Sequence, residues 1–406
     1  METELGITDG AARAWRLLAH FGHAVDLDAA AAALAVSTST ARRWRDEVRA
    51  AGLVTRDGAA WVHRDRASAA RASRELDDAA EIAQVVRRGL LWLLHGLSAA
   101  DRWFADRDDQ PVLPAPLQDL SPRDFASREQ AWAWVAARWD ELVPAVRTAA
   151  EHGEVALAWQ LVAVTFHWAF LAKPWRSWAE AARIADEAAR AAGDELGRAW
   201  TQHVLARIAG DEGDHDAAVE RGTRSLQLRR RLGERRDAGW SALALAQSKT
   251  ARGDPEVEIA PLLDETVEAH REIGMLAGVC LGSSFRAQLA ARRGALDEAE
   301  HRLREVAGVV HGTGDPAIEV HVRTRLGEVL VGRGRLEQAR GQAALADERA
   351  REAGADWFRI DALICLADCG PDGSSREALR AAARIAGELG DPRAERLRTR
   401  LAELGS

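Results

Sequence analysis

For 406 residues, three cysteines, twelve histidines and two lysines are a sparse chemical inventory. Cys365 and Cys369, in "CLADC", stand one helical turn apart with no second pair, so a four-ligand zinc site is not indicated and they read as small packing residues of a helix. No His-Glu-x-x-His occurs, no Ser/His/Asp set can be nominated from chain order, and neither Lys173 nor Lys249 follows the Gly-x4-Gly that cradles phosphates. The expectation is a non-enzymatic chain with no catalytic residue, no metal and no cofactor.

The residues suited to contact chemistry lie in "STSTARRWRDEVRAAGLVTRDGAAWVH", Ser37 to His63. Ser37 is an N-cap candidate, and Ala41, Trp44, Val48 and Ala51 recur at helical spacing as a core face. That leaves Thr38, Ser39, Arg42, Arg43, Arg45 and Arg49 on exposed faces, the right types for phosphate and base contacts, with Asp46 and Glu47 opposing. After it, "GLVTRDGAAWVH" reads as two short extended pieces around the hairpin dipeptide Asp57-Gly58. With "AARAWRLLAHFG" and "LDAAAAALAV" in front, the segment reads as a helix-turn-helix with a wing.

A net charge of -8 argues against a chain devoted to nucleic acid, while leaving room for one small basic module. Ala, Leu, Arg and Glu dominate and period-two alternation is almost missing, so the fold class expected is all-α. An odd cysteine count and an acidic start without an apolar signal region point to the cytoplasm. The longest apolar run, "WQLVAVTFHWAFLA" from Trp159, falls short of the roughly 20 residues of a membrane span and reads as a buried helix, with no membrane partner.

What positions these residues is a repeat. Glycine recurs at 153, 193, 213, 233, 253, 274, 294, 314, 334 and 354, the gap filled by Lys173-Pro174, in steps of 20 or 21 residues. Glycine suits the left-handed cap that ends a helix, and each step holds one helix of about four turns and a tight loop. The unit is a helical hairpin of 40 residues, with a small residue five positions after alternate glycines (Ala218, Ala299, Ala339). This resembles the tetratricopeptide pattern in a longer-helix variety, a HEAT-like solenoid being the alternative. "GDPEVEIAPLLDETVEAH" from Gly253 departs from it, with Glu258 at the Ala position, one extra residue and Pro255 and Pro261, so a kink or shifted helix start is expected.

The resemblance implies a right-handed superhelical solenoid whose first helices line a concave groove. Its register nominates His167, Trp200, His203, Arg207, Trp240, Gln247, Gln288, His321, Thr324, Glu328 and Asp368, a mixture suited to a peptide or protein segment. The alternative reading makes Trp200 and Trp240 inter-repeat packing and the polar residues solvated. Trp132, Trp139, Trp168 and Trp178 read as core.

The expected domains are a winged helix over 1–76, a helical arm and Pro-rich linker over 77–128, and the repeat array over 129–406 with "RAERLRTRLAEL" as a polar capping helix. This order, with the helix "AWAWVAARWDELVPAV" and "AGDELGRAW", resembles the C-terminal half of bacterial AfsR-type regulators, signal-transduction ATPases of the NB-ARC (STAND) class. There the winged helix sits between ATPase and repeats, and a His-Asp pair contacts nucleotide; here "WVHRD" keeps His63 and has Arg64 next. The resemblance implies a transcriptional-regulatory setting, with the ATPase either lost or supplied by a separate chain. The leading expectation is a regulatory or adaptor protein gripping a partner in its repeats. Alternatives are a ligand- or peptide-sensing transcription factor binding DNA through the Arg face, and a biosynthetic enzyme with a site built from His167, His203 and neighbouring Trp.

Overall fold

The computed structural model describes residues 6–55, 60–105, 109–117, 123–370, 373–391 and 393–403. The Asp57-Gly58 hairpin tip lies outside the described residues. Among those described the regular structure is helical, apart from two isolated antiparallel bridges. The chain divides into two units, Met1–Phe104 with Gln110–Ile208, and Ala105–Asp109 with Ala209–Ser406.

The first unit opens with α1 (Asp9–Leu18), α2 (Leu27–Leu34) and α3 (Thr38–Ala50), each started by a side chain that accepts an otherwise orphaned amide: Thr8, Asp26 and Ser37. Their apolar faces enclose Trp15, Leu18, Val48 and Trp61. Val25 exchanges both backbone bonds with Trp61, and residues 53–55 pair antiparallel with 62–64 through Thr55 N to Val62 O and Arg64 N to Leu53 O. α4 (Arg66–Leu76) is tied back to α1 by the Arg16–Asp77 ion pair.

α5 (Ala79–Asp101) contributes to two cores, Ile82 and Val85 to the first and Val86 to Leu97 to the second. It is followed by a segment that packs on the unit: Gln160 Nε2 donates to Val112 O at 3.0 Å, Ser98 Oγ to Gln110 Oε1 at 2.5 Å, and Leu113 and Leu117 touch the core. The expected helix "AWAWVAARWDELVPAV" is instead α6 (Arg128–Arg138), one 3₁₀ turn and α7 (Leu142–Glu151). Pro144, in the first turn of α7, has no N–H to continue a preceding helix and is placed where a helix start tolerates it. The apolar run from Trp159 is likewise two buried helices, α8 (Val155–Ala163) and α9 (Phe166–Ala172), bent by 46°. Among the described residues no single helix is long and apolar enough to cross a membrane. α10 (Trp175–Ala192) follows, and the division between the units falls inside α11 (Glu195–Glu212).

The second unit continues with α12 (His215–Leu232), α13 (Arg235–Arg252), α14 (Glu256–Glu272), α15 (Leu276–Arg292), α16 (Leu296–Val309), α17 (Pro316–Gly332), α18 (Leu336–Glu352), α19 (Asp356–Asp368), α20 (Gly373–Glu388) and α21 (Arg393–Glu403). Every glycine of the ladder has positive φ, from 60° at Gly354 to 90° at Gly253, and Lys173 takes φ 60° in the gap. At nine of the ten the following amide donates back five residues, as in Asp194 N to Ala189 O at 2.8 Å and Glu234 N to Arg229 O at 3.0 Å. Pro174 has no amide to give, and there the helix closes by the single bond Lys173 N to Ala169 O.

Ala218, Ala299 and Ala339 are fully buried. α14 begins three residues after its glycine where α12, α16 and α18 begin two after theirs, and Ile259, not position 258, takes the buried place of the small residue. His270 of α14 is fully buried, its ring wedged between Gly239 of α13 and Gly278 of α15 and 4.4 Å from the ring of Trp240.

Candidate functional site

Along α13, α15, α17 and α19 the 40-residue spacing aligns side chains into rows. One runs Trp240, Leu281, His321, Asp361, and a second, two turns on, runs Gln247, Gln288, Glu328, Asp368. Gln247 and Gln288 are half-buried, Glu328 and Asp368 exposed. Gln288 Nε2 lies 3.4 Å from His321 Nε2, and Phe285 sits 4.9 Å from the His321 ring. Burial, then the charge of Arg325, pushes His321 down to about 3, so the ring is neutral.

Charge accumulates at the C-terminal end of these rows. Arg325 donates to both oxygens of Glu328 at 2.7 and 2.8 Å and to Asp361 at 2.9 Å; Arg393 also reaches Asp361, and Arg400 pairs with Asp368. Desolvation, aided by the charges of Asp361 and Asp368, holds Glu328 above the usual carboxylate range against the pull of Arg325. Arg325 and Phe285 belong to the same face and were not singled out from sequence, because their significance depends on which turn of the helix points outward. Cys365 and Cys369 are buried thiols, Cys369 Sγ donating to Cys365 O at 3.1 Å, and burial raises the Cys365 thiol. Among the described residues no group of three metal-ligating side chains converges.

In the first unit, Phe166 stacks on His203 at 5.4 Å, and Arg207 and Lys173 lie over the Phe170 ring at 4.6 and 4.2 Å. His167 Nδ1 donates to Asp101 Oδ2 at 2.6 Å, while Trp168 N donates to Oδ1 at 2.9 Å. Four groove candidates are corrected by burial: His167, Trp200, His203 and Thr324 are 6%, 6%, 7% and 1% exposed and belong to packing. Neighbouring helices cover them. Trp240, Gln247, Gln288, His321, Glu328 and Asp368 keep partial exposure in the second unit, and Arg207 in the first.

On α3, Thr38, Ser39, Arg42 and Arg43 are exposed and line a shallow concavity with Asp46, Glu47 and Ala50, while Arg49 is half-buried. Arg45 is a correction: it is 8% exposed, because the buried face runs Ala41, Arg45, Val48 and leaves Trp44 at its margin. Both acids are engaged internally. Asp46 takes Arg45 and Arg49 at 2.8 and 3.0 Å, and Glu47 accepts the Thr8 amide and hydroxyl at 3.0 and 2.6 Å, which also lowers its pKa. His63 Nε2 lies 2.6 Å from Trp15 O, its pKa lowered by burial.

No protein-family model matches the chain, and no curated protein sequence matches it. Among solved structures, a Signal Transduction ATPase with Numerous Domains protein with a tetratricopeptide repeat sensor, from Pyrococcus horikoshii, superposes with a TM-score of 0.62 at 14% identity, over 96% of this chain and 53% of that one. The fold is a tetratricopeptide-type helical repeat. The chain spans about half the length of that ATPase. A Rap protein complexed with Competence and Sporulation Factor gives a TM-score of 0.48 at 12% identity, covering 78% of this chain and 97% of that one. The quorum sensor NprR from B. thuringiensis gives 0.46 at 10%, covering 94% and 97%.

Proposed function

We propose that this protein is a non-enzymatic regulatory or adaptor protein that holds a peptide or protein segment along α13, α15, α17 and α19. The row Gln247, Gln288, Glu328, Asp368 carries the reading: each of these helices places a polar side chain with solvent access at the same register position. Amides and carboxylates at fixed spacing suit the alternating donors and acceptors of an extended chain, and Trp240 and Phe285 add apolar footing. A displayed random-peptide library panned against the protein should yield peptides whose binding, read by fluorescence anisotropy, weakens about tenfold or more in Gln288→Ala/Glu328→Ala. That loss corresponds to roughly 1.4 kcal/mol or more. Peptides bound equally by the variant, or no enrichment, would overturn the reading.

A second reading has its own observation. Arg42 and Arg43 are exposed and in no ion pair among the described residues, while Asp46 and Glu47, which share the concavity with them, are taken up by Arg45, Arg49 and Thr8. We read α1–α3 with the paired stretches 53–55 and 62–64 as a winged helix whose α3 face contacts duplex DNA. Titration with duplex DNA at two salt concentrations should show affinity falling as salt rises, and falling further in Arg42→Ala/Arg43→Ala. Absence of binding at low salt removes this reading; a separate ATPase chain docking on the same face then remains the occupant to test.

A further inference from the structure

We propose that the contact between the α1–α2 turn and α7 is a proton-sensitive seam, closed while His20 and His152 are neutral and loosened when they take up protons. The two rings meet edge to face at 5.4 Å, with Thr148 Oγ1 of α7 donating to His20 O at 3.4 Å and Gly22 against Pro144. Protonation would set two cations in contact in a place with little water, since His20 is 9% exposed. The surroundings on α4 add Arg74 and Arg66 to the positive side and only Asp77, already committed to Arg16, to the negative. On the α7 side, His152 faces Arg74, Glu151 and Glu154, and Glu154 is held by Arg87.

Burial first, then the charge of His152, brings His20 down to about 4, and burial lowers His152. A histidine whose folded pKa lies below its unfolded one favours the opened seam as pH falls from 6.5 towards 4. The neighbouring pair nearly cancels itself. Burial brings His23 down to about 4 beside Asp26 and Arg66, and raises Glu141, 3.9 Å away and near Arg138 and Asp26, to about 7. A raised carboxyl favours the closed seam as pH falls from about 7 to 4.5, so between pH 7.5 and 5 Glu141 offsets the opening that His23 favours. That leaves His20, which favours opening, with His152 adding in the same direction. His63, which meets α1 at Trp15 O, is lowered by burial and does not oppose them. The net, three histidines against one carboxyl, is a seam that opens more easily at pH 5.

Amide hydrogen exchange of the full chain, corrected for intrinsic rates, reads this directly. Opening of residues 9–34 should rise about tenfold or more between pH 7.5 and 5.0, while the amides of α12 and α13 change less. His20→Phe keeps a ring but carries no proton, and should cut the rise below about threefold. His152→Phe supplies the same test from the other side should His20→Phe already loosen the module at pH 7.5. An undiminished rise in both variants, or no rise in the native chain, overturns the proposal.

Discussion

Replacing Gly278 with alanine tests how the middle of the second unit is packed. A Cβ there would lie 2.1 Å from Nδ1 and 2.3 Å from Cγ of His270, distances no real methyl occupies. The imidazole cannot retreat, because it is fully buried and a Cβ on Gly239 of the neighbouring helix would also meet it, at 2.7 Å from Cε1. Gly278 is helical, so alanine gains about 1 kcal/mol of helix propensity. Overpacking a filled core costs about 1–3 kcal/mol, and with both ring and backbone fixed the upper end applies, leaving a net loss of about 2 kcal/mol. Urea denaturation followed by circular dichroism, with hydrogen exchange over α13 to α15 to localise the loss, measures it. The mechanism makes a sharper demand on the sign. In a His270→Ala background the obstructing ring is gone and its space is open, so Gly278→Ala should there be neutral or stabilising. An equal loss in both backgrounds would show that the wedge is not the cause.

Two further outcomes follow from local chemistry. Gly233 has φ 74° and nothing within 4 Å of where a methyl would stand, so Gly233→Ala should cost about 1–2 kcal/mol through backbone conformation alone, read as a lower denaturation midpoint with unchanged slope. Asp101 is 1% exposed and accepts from His167, Trp168 and Gln110, so Asp101→Ala should cost about 3–5 kcal/mol and expose tryptophan fluorescence to quenchers.

The glycine ladder was legible in the sequence because its cause is local: a left-handed residue is required at each helix end whatever packs around it. The same argument located the Lys173-Pro174 substitution and the late start of α14. What the sequence pattern could not supply was the rotation of each helix. At α3 the apolar pattern placed Trp44 inward, and it does pack on the core, but the most deeply buried face also takes Arg45, whose aliphatic stem can lie against apolar neighbours. Among the groove candidates the 40-residue register gave positions that repeat from helix to helix, some of which keep solvent access. Burial then removed His167, Trp200, His203 and Thr324, because coverage by a neighbouring helix is a tertiary fact. The His270 wedge depends on two glycines and a histidine from three helices, and no spacing in the chain announces it.

The caps of the second unit carry a consequence for how such a chain can change length. Each joint is closed by backbone bonds spanning at most six residues, as in Ala295 N to Ala290 O and Arg335 N to Leu330 O, so its geometry is written into its own few residues. Whole hairpins can therefore be excised or duplicated like cassettes, the cut ends meeting with the same splice geometry. The cassette holding His270 carries a further constraint, because its ring is keyed to the glycines of both neighbouring helices and so can be moved only with them.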